Sequence, residues 1–277
     1  MAPGAPVTET FGREGGPDVT DVHPSAVVDK RAELAEGVEV GPGAVVGPDV
    51  RVGPRTVIGA HAILDGHLTI GADNRIFPHA VLGTPPQDIK YQNEPTKLQI
   101  GDRNLVREFV TVHRGTPQGK GVTTIGSDVF LMAYAHIAHD NLLEDHVVVA
   151  NSVQIAGHVT LGEHAIVGGC CAVHQFVRVG PHAFIGGGSI VVMDVPPFCK
   201  ATGNRARLHG LNTVGVRRRG FSEDDVKQLR RAYRLAFQSD LLVFEAAETI
   251  EREIAPHCPA AKVLAEFLRS SRRGVTR

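Results

Sequence analysis

Tryptophan is absent from the 277 residues, and aromatic side chains make up only 5% of them. Few large rings are therefore available to fill a core. Lys and Arg number 29 against 30 Asp and Glu, so no global field draws the chain to nucleic acid or to a charged membrane surface, and any basic site must be local. No run of about 18 apolar residues occurs, which excludes a membrane-spanning helix. Residues 1–21 are rich in Pro, Gly, Thr and acid and lack an apolar stretch, so they read as a disordered tail rather than a signal peptide. The four cysteines, Cys170, Cys171, Cys199 and Cys258, include no CxxC pair. That spacing argues against a disulfide framework or a cysteine zinc site and suits small buried thiols in a reducing cytoplasm.

What the chain does have is a period of six. From Val22 every sixth residue is aliphatic: Val22, Val28, Leu34, Val40, Val46, Val52, Ile58, Leu64, Ile70, Ile76 and Leu82. The pattern resumes at Ile100, Val106 and Val112, and again from Ile125 through Ile137, Leu143, Ile155 and Val173 to Val191. This period fits neither an amphipathic helix nor a hairpin sheet; it is the signature of a parallel β-helix of hexapeptides, three to a triangular coil of 18 residues. The aliphatic residue points inward, and Gly, Asn or Asp is expected to take the turn, Gly often following directly as in Ile58-Gly59. Scarce rings suit so narrow a prism.

Two stretches break the period, residues 84–99 and 114–124, and must loop out of the prism, where long loops often carry function. The repeat ends at Asp194, ahead of Val195-Pro196-Pro197. Beyond it, Ser222 and Asp225 resemble a capping box, with Val226, Leu229, Tyr233 and Phe237 along one helical face, and two more helices are expected near 241–254 and 260–270. The resulting division is a tail over 1–21, a β-helix over 22–196, a connecting segment over 197–220 and a helical domain over 221–277. The helices would cap strand edges left open at the end of the solenoid.

In an 18-residue coil, positions 18 apart lie one above the other at about 4.8 Å. The stretch AYAHIAHDN (133–141) then acquires neighbours: Gly157 and Gln175 stack over His139, and His158 over Asp140, with His136 and His174 close by. An imidazole beside a carboxylate, together with an unobstructed glycine N–H, is the makings of a general base with an oxyanion donor. Histidines at solenoid corners can equally be exposed spacers. A zinc site through His136, His139 and His158, as in a hydratase, is another reading, though Asp140 and Gln175 are more natural as orienting and binding groups.

The stretches QDIKY (87–91), EPT (94–96), IGDRN (100–104), VTVHRGT (110–116), AHIAHD (135–140), AVHQF (172–176), DVPPF (194–198) and RRRGF (217–221) resemble those of the acyl-ACP:UDP-N-acetylglucosamine O-acyltransferases, the enzymes that open lipid A synthesis. The resemblance spans nearly the whole chain after residue 21. It implies a left-handed β-helix, a homotrimer with sites between subunits, a cytoplasmic location and no cofactor or metal. It also implies transfer of an R-3-hydroxyacyl chain from acyl carrier protein to the sugar 3-hydroxyl. His139 would be the general base, Asp140 its support, and Gly157 the oxyanion donor. Asp88, Lys90, His136, His158, His174 and Gln175 would bind sugar and acyl groups, Asn212 the nucleotide, and Arg218 and Arg219 the pyrophosphate. Gly187 would set how far the acyl chain extends, a Gly leaving room for a longer one. Some members of that family have Glu at the position of Val214 and His at that of Arg205.

Three arginines, Arg217 to Arg219, placed just before a helix N-terminus would oppose its dipole, so an anionic ligand or an acidic carrier protein explains them better than helix stability does. Rival functions are an N-acyltransferase acting on a 3-amino sugar nucleotide or on a later glucosamine intermediate, the zinc hydratase, and a solenoid that binds without chemistry.

Overall fold

A computed structural model describes residues 20–277. Most of the expected N-terminal tail thus lies outside the described residues, and Asp21 already pairs with Glu39. Twenty-six short strands, from Asp21–Val22 to Ile190–Val191, wind into three parallel sheets, every third strand returning to the same sheet. The first face holds Asp21–Val22 and its successors, the second Val27–Val28, the third Glu33–Leu34. The fold is a left-handed parallel β-helix with a helical C-terminal region, mainly β.

Register carries the repeat into space. His136 lies beside Gln154, eighteen positions on. Across the two interruptions the spacing grows to thirty, as in Arg75 beside Leu105, and to twenty-five, as in Thr111 beside His136. The additional residues leave the prism, at 85–96 and 114–121, and the strands on either side keep pairing.

From Val40 onward every residue of the six-step series is buried, whereas Val22 is exposed and Val28 and Leu34 are half-buried in the opening coil. A second inward position, two residues earlier, went unread: Val38, Ala44, Val50, Ala62, Val147, Val153, Val159 and Ala165 are wholly buried there. Residues two apart on a strand share a face, so each side of the triangle sends in two side chains, the earlier one smaller where it is Ala but as large where it is Leu68 or Leu98. Among the described residues, the prism core contains no aromatic ring.

The turn chemistry meets expectation only in part, with Gly or Asp at Gly37, Gly43, Asp73, Asp128 and Asp140. The left-handed backbone falls three residues after the aliphatic one, and non-glycine residues mostly occupy it, including His61, His79, Asp140, His146, His158, His164 and His182, with φ near +60°. Each such residue strains the chain by roughly 1–2 kcal/mol. Contacts along the edges offset this, since turn residues of successive coils also meet. His146, His164, His182 and Phe198 form a column with centroids 4.5, 4.9 and 5.4 Å apart, and below them Arg55 grips Asp73, and Arg103 Asp128, through paired bonds of 2.7–2.9 Å. The glycines directly after the aliphatic residue serve close approach instead: a Cβ on Gly59 would sit 2.8 Å from the Ile76 carbonyl of the next coil. Cys171, Cys199 and Cys258 are buried as expected, but Cys170 occupies one of these turns and is exposed.

Strands Cys199–Thr202 and Arg207–Leu211 continue the first sheet as a hairpin. Four helices follow: α1 (Thr213–Arg218), α2 (Glu223–Phe237), α3 (Val243–Glu253) and α4 (Pro259–Ser270). Ser222 and Asp225 form the expected capping box of α2. Helix α1 was unforeseen, and it offsets the argument about the arginines, which precede α2 but also end α1. Arg217 and Arg218 form its last turn and Arg219 its C-cap, where the dipole favours cations, and Arg217 pairs with Glu223 at 2.7 Å. The chain then returns to the prism: Ser271 Oγ donates to Asp194 Oδ2 at 2.8 Å, and Arg273 Nε donates to the Val192 carbonyl at 2.7 Å.

If coil spacing rather than turn geometry requires the post-aliphatic glycines, Gly59→Ala lowers stability by about 1–3 kcal/mol, the range for overpacking a fixed space. Urea unfolding checks this, and an unchanged midpoint would mean the coils tolerate separation.

Candidate active site

The second edge of the prism, where the chain passes from the second face to the third, carries the histidine stretch. Buried Ile137, Ile155 and Val173 set three successive turns, and the backbone stacks them: His158 N–H donates to the His139 carbonyl at 3.0 Å, and Phe176 N–H to the Gly157 carbonyl at 3.1 Å. Asn141 braces the first turn from inside, donating to the Ala138 carbonyl at 2.8 Å and accepting the Val159 N–H at 2.6 Å.

His139 Nδ1 lies 2.8 Å from Asp140 Oδ2, and an ionised Asp140 can only accept, so Nδ1 carries a proton and the lone pair of the neutral ring is on Nε2. The glycine above leaves space for the ring. A Cβ on Gly157 would stand 2.6 Å from His139 Cε1. The Gly157 N–H donates to no acceptor among the described residues. His158 meets His139 edge to face at 5.1 Å, stacks flat on Phe176 at 4.5 Å, and brings its Nε2 to 3.9 Å from Asp140 Oδ2.

Asp140 is fully buried. Burial works to raise its carboxyl, but hydrogen bonds from His139 and Thr116 outweigh that and hold it at about 2. Burial pushes His136 down and does the same to His158, where Asp140 opposes it and His139 and Lys120 add to it. His113 is driven to about 4, by burial first and then by the charges of His136 and His139.

Both excursions emerge on this same edge. Asp88 and Lys90 lie on the first, Asp88 half-buried and accepting the Lys90 N–H at 2.9 Å, Lys90 exposed. Arg114 ties the two together, donating to Tyr91 Oη at 2.8 Å and to the Gly83 carbonyl at 3.0 Å. The second excursion folds over Asp140. His174 and Gln175 are exposed one coil above Gly157, and His174 Nδ1 lies 2.9 Å from Arg273 Nη2. His136 points out of the second face with Nδ1 2.7 Å from Thr111 Oγ1. The three-histidine zinc set is therefore not assembled. The donors that do converge are His139, Asp140 and His158, and both Asp140 oxygens already accept protein hydrogen bonds.

The remaining expected residues lie on other edges of the same chain. Asn212 sits at the third edge, where it caps α1 through the Gly215 N–H at 3.1 Å and donates to the His182 carbonyl at 3.0 Å. Arg219 stands beside His164 and His182, both lowered to about 4 by burial and then by neighbouring positive charge. Arg218 ends α1 nearby. Gly187 lies on the first edge, close above Gly169. Sequence reasoning missed Thr116, Lys120, Arg114, Tyr91, His113 and Arg273. All but Arg273 fall in or beside the interruptions, where the eighteen-residue rule assigns no neighbours.

A hexapeptide β-helix with an imidazole–carboxylate pair under an open backbone N–H defines an acyltransferase of the hexapeptide class, and residues 31–66 match the bacterial transferase hexapeptide model. Residues 194–276 match the model described as UDP-N-acetylglucosamine O-acyltransferase, domain 2. The chain is 51% identical over 263 residues to the acyl-[acyl-carrier-protein]–UDP-N-acetylglucosamine O-acyltransferase of Burkholderia lata, covering 94% of this chain and all of that one. It is 49% identical to the protein of that name from Halorhodospira halophila, again over 94% of this chain. The solved structure of LpxA from Acinetobacter baumannii superposes with a TM-score of 0.91 at 42% identity, covering 92% of this chain and 99% of the other. The chain belongs to the acyl-ACP–UDP-N-acetylglucosamine O-acyltransferase family.

Gly157→Ala is expected to push the His139 ring aside and lower acyl transfer at least 100-fold, with the melting temperature little changed. Wild-type turnover in that variant would show the ring need not stand where it does. Asp140 also has a signature in acid. Its folded pKa is below the unfolded value of about 3.9, so its contribution to stability is complete above about pH 4 and is lost as pH falls through about 2. Its carboxyl carbon resonance should titrate near 2, with amide exchange at Thr116 and Lys120 rising in step. A midpoint near 4 would mean those bonds do not persist in solution.

Proposed function

We propose that this chain transfers an R-3-hydroxyacyl group from acyl carrier protein to the 3-hydroxyl of UDP-N-acetylglucosamine, the opening step of lipid A synthesis. The observation that carries the reading is the His139–Asp140 pair at 2.8 Å beneath the open N–H of Gly157. The names of close relatives supply the substrates.

His139 Nε2 takes the proton of the sugar hydroxyl as its oxygen attacks the thioester carbonyl carbon. The resulting oxyanion accepts the Gly157 N–H. As the carbon–sulfur bond breaks, the imidazolium returns the proton to the departing thiolate, and Asp140 stabilises the imidazolium in between. Asp88, Lys90, His136, His158, His174 and Gln175 share the second edge or its neighbouring face with His139 and hold the sugar and acyl group. Asn212, Arg218 and Arg219 hold the nucleotide and its pyrophosphate from the third edge. That separation supports a homotrimer in which the third edge of one subunit meets the second edge of the next, since one chain alone does not assemble both halves. The acyl chain runs from His139 across the second face toward Gly187, past small Ala172 and Gly169.

No helix is long and apolar enough to cross a membrane among the described residues. The 3-amino sugar nucleotide, the other acceptor this chemistry suits, is the first alternative to assay.

His139→Ala is expected to lower turnover about 10²–10⁴-fold, the range for a lost general base, with oligomeric state unchanged. The assay is mass-spectrometric, with UDP-N-acetylglucosamine and a mixture of 3-hydroxyacyl carrier proteins, so product mass also reports chain length. Undiminished turnover in the variant would remove His139 from the chemistry, and loss of the oligomer would make it an interface residue.

A further inference from the structure

The excursion at 114–121 does more than leave the prism. It starts one coil below His139 and closes over Asp140. Thr116, 2% exposed, directs two donors at the carboxylate: its N–H at 3.1 Å and its hydroxyl at 2.6 Å, both to Oδ2. Oδ2 is also the oxygen that accepts His139 Nδ1 at 2.8 Å. The Lys120 N–H reaches the other oxygen at 2.8 Å. Gly119 passes so close that a Cβ there would collide with the Asp140 carboxyl group, so the loop is shaped to this one side chain.

We propose that Thr116 is a positioning residue for acyl transfer, its hydroxyl fixing Asp140 Oδ2 and through it the orientation and proton affinity of the His139 ring. The inference rests on the reading of His139 as the base. Two donors from one buried residue prevent the carboxylate from rotating without breaking both bonds. The hydroxyl bond is also short and charge-assisted, and such bonds are about twice as strong as neutral ones. An oxygen that shares its charge with Thr116 attracts the imidazolium less, so the hydroxyl keeps His139 free to give its proton to the leaving thiolate. Branching at Cβ limits the rotamers from which this hydroxyl can act.

The test compares the full chain with Thr116→Val, nearly isosteric without the hydroxyl, and Thr116→Ser, which restores it. Val is expected to lower kcat about 10-fold or more, in line with loss of a hydrogen bond to a charged group, with KM for both substrates within twofold. It should also move the acid limb of kcat/KM to higher pH, and Ser should recover most of both effects. The other groups facing this pair are His158 on the same edge, His113 and His136 on the second face, and Lys120 on the loop. They are the same in both variants, so the difference between Val and Ser isolates the hydroxyl. In a His139→Ala background, Thr116→Val should have no further effect.

Thr116→Val at the wild-type rate would overturn the proposal. So would a lowered rate with an unmoved acid limb, or one that Ser does not restore, since either would mark a purely structural loop contact. If His139→Ala alone keeps full turnover, the parent reading fails. If His139→Ala is inactive while Thr116→Val is unaffected, only the positioning role falls.

Discussion

Parallel backbone pairing between residues eighteen apart is the constraint from which the rest of this molecule follows. It closes each coil and sets the next one on top, so whatever sits at a turn meets its counterpart one coil away. The glycines after the aliphatic positions exist because this approach is close. The edge columns of rings and ion pairs exist because the same spacing brings side chains into register. The general-base site is one more product of that stacking, in which the glycine over His139 leaves room for its ring.

The structure tolerates interruption of this register without losing it. Thirty residues separate Arg75 from Leu105, and the two still lie side by side. Both excursions leave the prism between the second and third faces, so every inserted residue is delivered to the edge that bears His139 and Asp140. Placing both on one edge leaves the other two free of insertions.

Much of this could be read from the sequence, and the boundary is physical. The six-residue period fixed the coil, and adding eighteen fixed the neighbours of His139, because both follow from backbone geometry alone. The second inward position was invisible because Ala, Val, Leu, Thr, Asn, Cys and Ser share it and form no single class. The left-handed turns were assigned to Gly, Asn or Asp, which holds at Gly37, Gly43, Asp73, Asp128 and Asp140 but not at the turns held by His, Phe, Arg or Tyr. At those turns His and Phe accept backbone strain in exchange for stacking with residues of the next coil, and a local propensity cannot register that trade. The arginines of 217–219 precede α2 as expected, but they also end a helix that was not expected, because α1 is only six residues long and leaves no periodic trace.

Asp140 shows why the missed residues matter to the chemistry. A carboxylate with no exposed surface is expensive to keep ionised, and a single imidazole partner would not suffice when that imidazole must itself gain and lose a proton. If His139 were the only donor, each proton transfer would alter the charge balance of a buried acid. With Thr116 and Lys120 supplying three further donors that do not titrate near neutrality, the carboxylate stays ionised whichever state His139 is in. The charge of the pair then changes at one place only, the imidazole, where the reaction needs it. In the regular coils most N–H groups are committed to the ladder, and a turn N–H that reaches a carboxylate does so singly, as Ser127 does to Asp145 at 2.7 Å. The interruption of the repeat at this edge instead brings three donors to one buried carboxylate, the partner of His139.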